Sequence, residues 1–123
     1  MENRDKSREK ALNIADIAED KKAENVMVLE VIKLTTIADF FVICSGSNEK
    51  QVDAIAREIE EEMSEDGIEP YRVAGRNQSR WKLLDYEDVI VHVFHQEERR
   101  FYELERLWAD AERVLEEAEE ASE

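Results

Sequence analysis

Residues 40–51 read FFVICSGSNEKQ, an apolar run that stops at a polar turn and continues into a mixed pattern. Five consecutive apolar residues are typical of a strand that is covered on both faces of a sheet. Asn48 and Gln51 have the spacing of a helix cap and its reciprocal partner. The stretch therefore predicts a buried strand, a short turn and then a helix, as in α/β proteins.

The segments on either side extend this pattern. Residues 26–31 form another nearly continuous apolar run, which predicts a second buried strand. Apolar residues at helical spacing predict one amphipathic helix from about residue 8 to residue 20 and another after Asn48. The two stripes are Ala11, Ile14, Ala15 and Ala18, and then Val52, Ile55, Ala56, Ile59 and Met63. Gly67 is placed to end the second helix in a left-handed conformation.

The C-terminal half predicts three more strands, at residues 71–73, 80–84 and 89–94. A tight polar connection separates the last two, which predicts an antiparallel hairpin. A final helix is predicted from near Glu97, with an apolar face made of Phe101, Leu104, Trp108, Ala111 and Leu115. We therefore expect one α/β domain over residues 1–111, with a mixed β-sheet of about five strands flanked by helices, and an acidic helical or frayed tail over residues 112–123.

The charge of the chain limits its partners. Its 32 acidic and 17 basic residues give a formal net charge of -15 over 123 residues. A molecule of this charge is repelled by phosphate backbones, so charge-driven or sequence-specific binding of bare nucleic acid is disfavoured. The charge suits a basic protein partner. Solubility, or adaptation to high internal salt, would give the same composition.

Cysteine use and hydropathy indicate a cytoplasmic protein. Cys44 is the only cysteine, so no internal disulfide is possible, and its apolar surroundings favour a buried, inert thiol. Residues 1–10 are charged and lack the apolar core of a signal peptide. No apolar run is long enough to cross a bilayer, so we expect no membrane association.

Catalytic and metal-binding patterns are weak in this chain. His92 and His95 are three residues apart on a strand and should point to opposite faces, which disfavours a shared metal; we expect His92 to be a hydrogen-bonded core residue. The turn at residues 45–48 precedes a helix but lacks the lysine of a phosphate-binding loop. The strand at residues 89–94 carries no carboxylates to hold a divalent metal. These residues therefore disfavour a metal site shared by the histidines and a two-metal polymerase-type mechanism.

Trp81 stands out among the aromatic residues because it follows a polar loop and begins the hairpin. A tryptophan at that place either closes the core or is half exposed and anchors a protein interface. Asp85 and Asp88 could pair with basic side chains of a partner or merely cap the turn. The residues alone leave both alternatives open.

Four blocks of the sequence resemble the Iojap family, also called ribosomal silencing factors. They read ADFFVICSGS at 38–47, WKLLDY at 81–86, DVIVHVF at 88–94 and RFYELERLW at 100–108, in the family's order and at similar spacing. The similarity runs from about Ala11 to Ala111. It implies a fold like that of nucleotidyltransferases without their activity. It also implies a protein that binds the large ribosomal subunit through ribosomal protein fourteen of that subunit, blocks subunit joining and represses translation when nutrients are short.

The resemblance also implies which residues contact the ribosome. They are Trp81, Leu84, Asp85, Tyr86 and Asp88. Two positions depart from the family pattern: Ala74 replaces a usual glutamate before Gly75, and Glu87 replaces a usual glycine in the hairpin turn, where a positive φ suits glycine better. Two alternatives remain beside ribosome silencing, namely a degenerate nucleotidyltransferase-like enzyme that uses the turn at 45–48 and a homodimeric interaction module.

Overall fold

A six-stranded mixed sheet with three helices forms the described part of the chain. A computed structural model describes residues 2–75, 80–102, 106 and 108–116. The elements are α1 (Glu2–Asp20), β1 (Glu24–Glu30), β2 (Phe40–Gly46), α2 (Glu49–Glu65), β3 (Arg72–Ala74), β4 (Trp81–Asp85), β5 (Val89–His95), α3 (Gln96–Tyr102) and β6 (Glu112–Glu116). The sheet order is β3-β4-β5-β2-β1-β6. The predicted α/β fold with a mixed sheet is confirmed.

The centre of the sheet is a parallel pair, β2 beside β5. Phe40 lies opposite Val89 and Gly46 opposite His95, and every residue of both strands is buried. The other pairings are antiparallel, including the predicted hairpin of β4 and β5. The continuous apolar runs at residues 40–44 and 89–94 thus have the environment that their composition predicted, because both strands are covered on two faces.

Alternation along the strands divides the core into two layers. On one face, α1 and α2 pack over residues such as Val28, Val42 and Val91. On the other face, the neighbouring positions Leu29 and Ile43 belong to a second apolar cluster, which also contains Phe41, Ile90 and Phe94. Because side chains alternate with a period of two, a single strand such as β5 supplies both layers.

The predicted helix signals after β2 are present. Asn48 caps α2, and its Oδ1 accepts a hydrogen bond from the backbone N–H of Gln51 at 2.9 Å. The Gln51 side chain reaches back to the N–H of Ser47 at 2.8 Å, one residue before the position that the capping pattern predicts. Gly67 has φ +78°, and the N–H of Ile68 bonds to the carbonyl of Met63, which closes the helix end.

The predicted C-terminal helix is wrong over residues 108–116. Residues 108–110 form a turn, and Glu112–Glu116 form β6, antiparallel to β1, with Val28 opposite Leu115. The steps of three and four between Trp108, Ala111 and Leu115 fit a helix. Without β6, however, β1 would be an edge strand with unpaired backbone N–H and C=O groups, and β6 pairs with these groups. The side chains of Phe101 and Leu104 and all of residues 117–123 lie outside the described residues.

Candidate functional site

Trp81 lies at the start of β4, on the sheet face away from α1 and α2. It is opposite Phe94 of β5, and the two rings are 4.8 Å apart between centroids. The indole is half-buried: it packs against the second core cluster and keeps part of its surface accessible. The sequence left two alternatives open for Trp81, closing the core and contacting a partner. Its partial burial allows both at once.

The indole N–H of Trp81 has a defined acceptor. It donates to Nδ1 of His92, with 3.3 Å between the two nitrogen atoms. His92 is 6% exposed, and its burial lowers the pKa to about 4, so the ring is neutral near pH 7. The prediction of a hydrogen-bonded core histidine is confirmed. The sequence analysis did not predict that Trp81 is the donor to His92. The length of the turn at 85–88 would have placed Trp81 and His92 near each other on adjacent strands.

Other aromatic rings surround this pair. Phe41 contacts His92 edge-on at 5.2 Å, and Trp108 contacts Phe41 edge-on at 5.0 Å. Leu83, two residues after Trp81 and on the same face, is partly buried like the two tryptophans. We call Trp81, Leu83 and Trp108 the aromatic surface. Its members come from β4 and from the turn before β6, so sequence reasoning based on one hairpin found only its first member.

Two of the residues that the resemblance implied for the ribosomal contact are in the core. Leu84 is fully buried and Tyr86 is 3% exposed, and both belong to the layer beneath α1 and α2. In this conformation the two side chains offer a partner almost no accessible surface, and their role in the ribosomal contact stays a prediction. Burial also raises the pKa of the Tyr86 hydroxyl, which has no hydrogen-bond partner among the described residues. Alternation on β4 explains the difference, because Leu84 faces the side opposite Trp81.

Asp85 and Asp88 lie at the turn end of the hairpin, away from Trp81. Trp81 and Asp85 are four positions apart on an extended strand, a distance of about 13 Å. Asp85 accepts a hydrogen bond from the N–H of Glu87 at 2.8 Å, so it caps the turn, and its other oxygen is 3.4 Å from Arg72. The five residues therefore do not form one patch.

Asp88 ties the strands to α1. Its carboxylate accepts from Lys10 Nζ at 2.7 Å and from the Ser7 hydroxyl at 2.8 Å, and the same hydroxyl lies 3.0 Å from Asp39. Burial works to raise the pKa of Asp88, but these hydrogen bonds and the charge of Lys10 outweigh it and hold the pKa below its usual value. Asp88 thus has a structural partner within the chain.

Gly75 determines how closely β3 approaches β4. It has φ +83°, and a Cβ there would lie 2.4 Å from the carbonyl oxygen of Trp81. Its own carbonyl accepts from Lys82 Nζ at 3.0 Å, and that ammonium is also 3.3 Å from Asp53 of α2. A side chain at residue 75 would therefore displace the backbone that carries Trp81.

The two departures from the family pattern lie near the hairpin. Glu87 adopts φ +76°, so the turn keeps a conformation that suits glycine although a glutamate occupies it. Ala74 is exposed in β3 opposite Leu83. The turn geometry is thus retained at residue 87, at an energetic cost.

Exposed apolar residues also occur at the other end of the sheet. Ile32, Leu34 and Ile37 lie in the β1–β2 connection, and Tyr71 precedes β3. Leu34 and Thr35 donate backbone hydrogen bonds to the carbonyl of Val31, so the connection is ordered. These side chains are distant from Trp81 along the strands and do not extend the aromatic surface.

Ser45, which the sequence placed in the polar turn at residues 45–48, belongs to β2 and makes internal contacts. The Ser45 hydroxyl donates to the carbonyl of Glu24 at 3.1 Å, and Arg99 lies 3.3 Å from the same hydroxyl. His95 accepts from the N–H of Glu97 at 3.2 Å, away from His92. Within the described residues, no group of three His, Cys, Asp or Glu side chains could hold a metal ion. None of the helices in the described ranges is long and apolar enough to cross a membrane.

Comparison with known proteins identifies the family. Residues 4–123 match the family described as "Ribosomal silencing factor during starvation". The chain is 52% identical over 101 residues to the ribosomal silencing factor of Halalkalibacterium halodurans, covering 82% of this chain and 84% of that protein. It is 48% identical over 101 residues to that of Bacillus subtilis, covering 81% and 86%. A crystal structure of a Chromobacterium violaceum protein superposes with a TM-score of 0.80 at 28% identity, covering 83% of this chain and 85% of that one. The chain belongs to the ribosomal silencing factor family.

Proposed function

We propose that this protein binds the large ribosomal subunit through ribosomal protein fourteen, blocks joining of the small subunit and represses translation under nutrient limitation. Family membership over residues 4–123 supports a regulatory rather than catalytic role. Steric occlusion needs only a rigid body bound at the joining face, so the function requires no cofactor. A ribosome-bound factor of this kind acts in the cytoplasm.

The observation that carries the proposal is the accessible part of Trp81 on the aromatic surface. Half-buried aromatic side chains are frequent anchors of protein interfaces, because they remove much apolar area from water with little loss of conformational freedom. Trp81, Leu83 and Trp108 combine large apolar side chains with partial exposure. Leu84 and Tyr86 lie in the opposite layer of the core and are not part of this surface.

The charge of the molecule favours a protein contact over an RNA contact. A net charge of -15 repels the phosphates of ribosomal RNA and attracts a basic ribosomal protein. Asp85 and Asp88 are less suited to direct pairing with the partner than the sequence suggested, since each already accepts hydrogen bonds within the chain. They orient the approach of a basic surface rather than form its central contact.

Co-sedimentation with purified large subunits tests the proposal. The wild-type protein should pellet with large subunits and inhibit their joining to small subunits. Trp81→Ala should weaken both by at least tenfold, the usual effect of removing a central aromatic anchor. Tyr71→Ala is the matched control, because Tyr71 is an aromatic residue 73% exposed at the other end of the sheet. Normal subunit joining at saturating wild-type protein would refute the function.

Self-association could use the same surface. If the protein forms a homodimer through the aromatic surface, light scattering should show a dimer that dissociates when the ribosomal partner is added. A dimer that persists in the bound state would place the self-contact elsewhere.

A further inference from the structure

His92 occupies an unusual place for a polar side chain. It lies in the middle of β5, with Ile43 of β2 on one side and Leu83 of β4 on the other. Its ring is 6% exposed and is packed against Phe41 and Phe94. A buried imidazole is unfavourable unless both nitrogen atoms find partners.

In the part of the chain that the structure describes, only one ring nitrogen of His92 has a hydrogen-bond partner. Nδ1 accepts the indole N–H of Trp81, so the proton of the neutral ring is on Nε2. Nε2 is buried and has no hydrogen-bond partner among the described residues. An apolar side chain of similar size would avoid this unsatisfied group. Stability of the core alone therefore does not explain a histidine here, whereas the contact with Trp81 does.

The hydrogen bond to His92 fixes the orientation of the Trp81 indole, which packing alone would leave adjustable. Trp81 is the first residue of β4 and is only half-buried, and it stacks in a tilted arrangement on Phe94 at 4.8 Å. A tilted stack tolerates sliding and rotation of the indole about its side-chain torsions, whereas an N–H···N bond selects one orientation. The accessible edge of the indole is thus held in one direction before any partner arrives.

We propose that His92 is a positioning residue for partner binding, which holds the Trp81 indole in the orientation that the ribosomal partner receives. The inference rests on the proposed function, because it assigns Trp81 as the anchor. A prearranged anchor loses less rotamer freedom on association than a mobile one, so removal of the acceptor should weaken binding by roughly three- to tenfold. His92 itself does not touch the partner.

The test combines a spectroscopic signal with binding. In the full-length protein, the Nε1–H resonance of Trp81, identified by its loss in Trp81→Phe, should exchange slowly with deuterated water. His92→Phe keeps the ring volume and removes the acceptor; the Trp81 signal should then exchange faster, and affinity for purified large subunits should fall three- to tenfold. His92→Asn places an amide oxygen near the position of Nδ1 and should restore both. Thermal unfolding of each variant checks that it is folded, and His92→Leu replaces His92→Phe if the latter is not.

The outcomes separate the two proposals. If the wild-type protein fails to bind large subunits, the proposed function fails and the positioning role fails with it. If the wild-type protein binds and His92→Phe binds equally well, the positioning role alone is overturned, whatever happens to the indole signal. The positioning role would also be overturned if His92→Phe lost affinity and a folded His92→Asn variant did not restore it. A role of His92 in packing alone would give this pattern.

Discussion

Glu87 shows how a single residue bears a conformational cost for the hairpin. It adopts φ +76° in the turn between β4 and β5, and its side chain is exposed. A left-handed conformation costs a residue with a Cβ roughly 1–2 kcal/mol. Glycine avoids this cost, but it loses more conformational entropy on folding than other residues, which offsets part of the gain. The turn is held in place by the bond from the Glu87 N–H to Asp85.

Glu87→Gly should therefore stabilise the protein by about 0.5–1 kcal/mol in the free energy of unfolding, measured by urea denaturation. Glu87→Ala is the control, because it removes the same exposed side chain and keeps the Cβ. It should not share the gain. Equal stabilisation by both variants would assign the effect to charge removal instead of backbone conformation.

His92 gives the stability a specific dependence on pH. Its pKa falls from 6.5 to about 4 on burial, so the folded state binds the proton less well than the unfolded state. The stabilising effect of the neutral ring is fully present above pH 6.5 and is lost as the pH falls from 6.5 toward 4, by about 3 kcal/mol in total. Because carboxylates titrate in part of this window, His92→Phe is the reference. The difference in unfolding free energy between wild type and variant should shift in favour of the variant as the pH falls, and a constant difference would contradict the assignment.

At the scale of elements, most of the sheet and two helices could be predicted, and the C-terminal segment could not. The buried strands near residues 26–31 and 40–44, the helices over α1 and α2 and the hairpin all follow from local patterns of apolar residues and turn signals. Residues 108–116 satisfy a helical spacing as well as a strand. Their conformation depends on the open edge of β1, a tertiary feature that no local pattern contains.

Removal of β6 should reveal this dependence. A chain that ends after Ala111 loses the strand opposite β1 and the partly buried Val114 and Leu115, and its unfolding free energy should fall by on the order of 2 kcal/mol. A chain that ends after Glu116 keeps β6 and serves as the control. Hydrogen exchange of the β1 amides should accelerate in the shorter chain only. Equal stability of the two truncated chains would mean that β6 contributes nothing to the sheet.

The site shows a similar division between local and tertiary information. The four sequence blocks identified Trp81 and its hairpin, and the structure places Trp81 on a partly exposed surface. Sequence could not show that Leu84 faces the opposite layer, because that depends on which face α1 and α2 cover. It also could not show that Trp108 joins the surface, since Trp108 comes from a distant part of the chain and reaches Phe41 only in the folded state.

At the scale of the whole molecule, the net charge of -15 has opposite effects on folding and on binding. Added salt screens the repulsion among the acidic residues and should raise the melting temperature of the free protein. The same screening weakens attraction to a basic partner, so binding to large subunits should decrease between about 50 and 200 mM salt. Sucrose at equal osmolality is the uncharged control and should leave binding unchanged. Binding that strengthens with salt would indicate that the acidic surface plays no part in recognition.

The parallel pairing of β2 with β5 bears on when the protein can fold during its synthesis. Phe40 lies opposite Val89, and β1 pairs with β6, which begins at Glu112. A nascent chain that emerges from the exit tunnel in order therefore cannot pair its two central strands until residue 95 has emerged, and cannot add β6 until residue 116 has followed. A chain interrupted before β5 leaves the apolar strand β2 without its parallel partner.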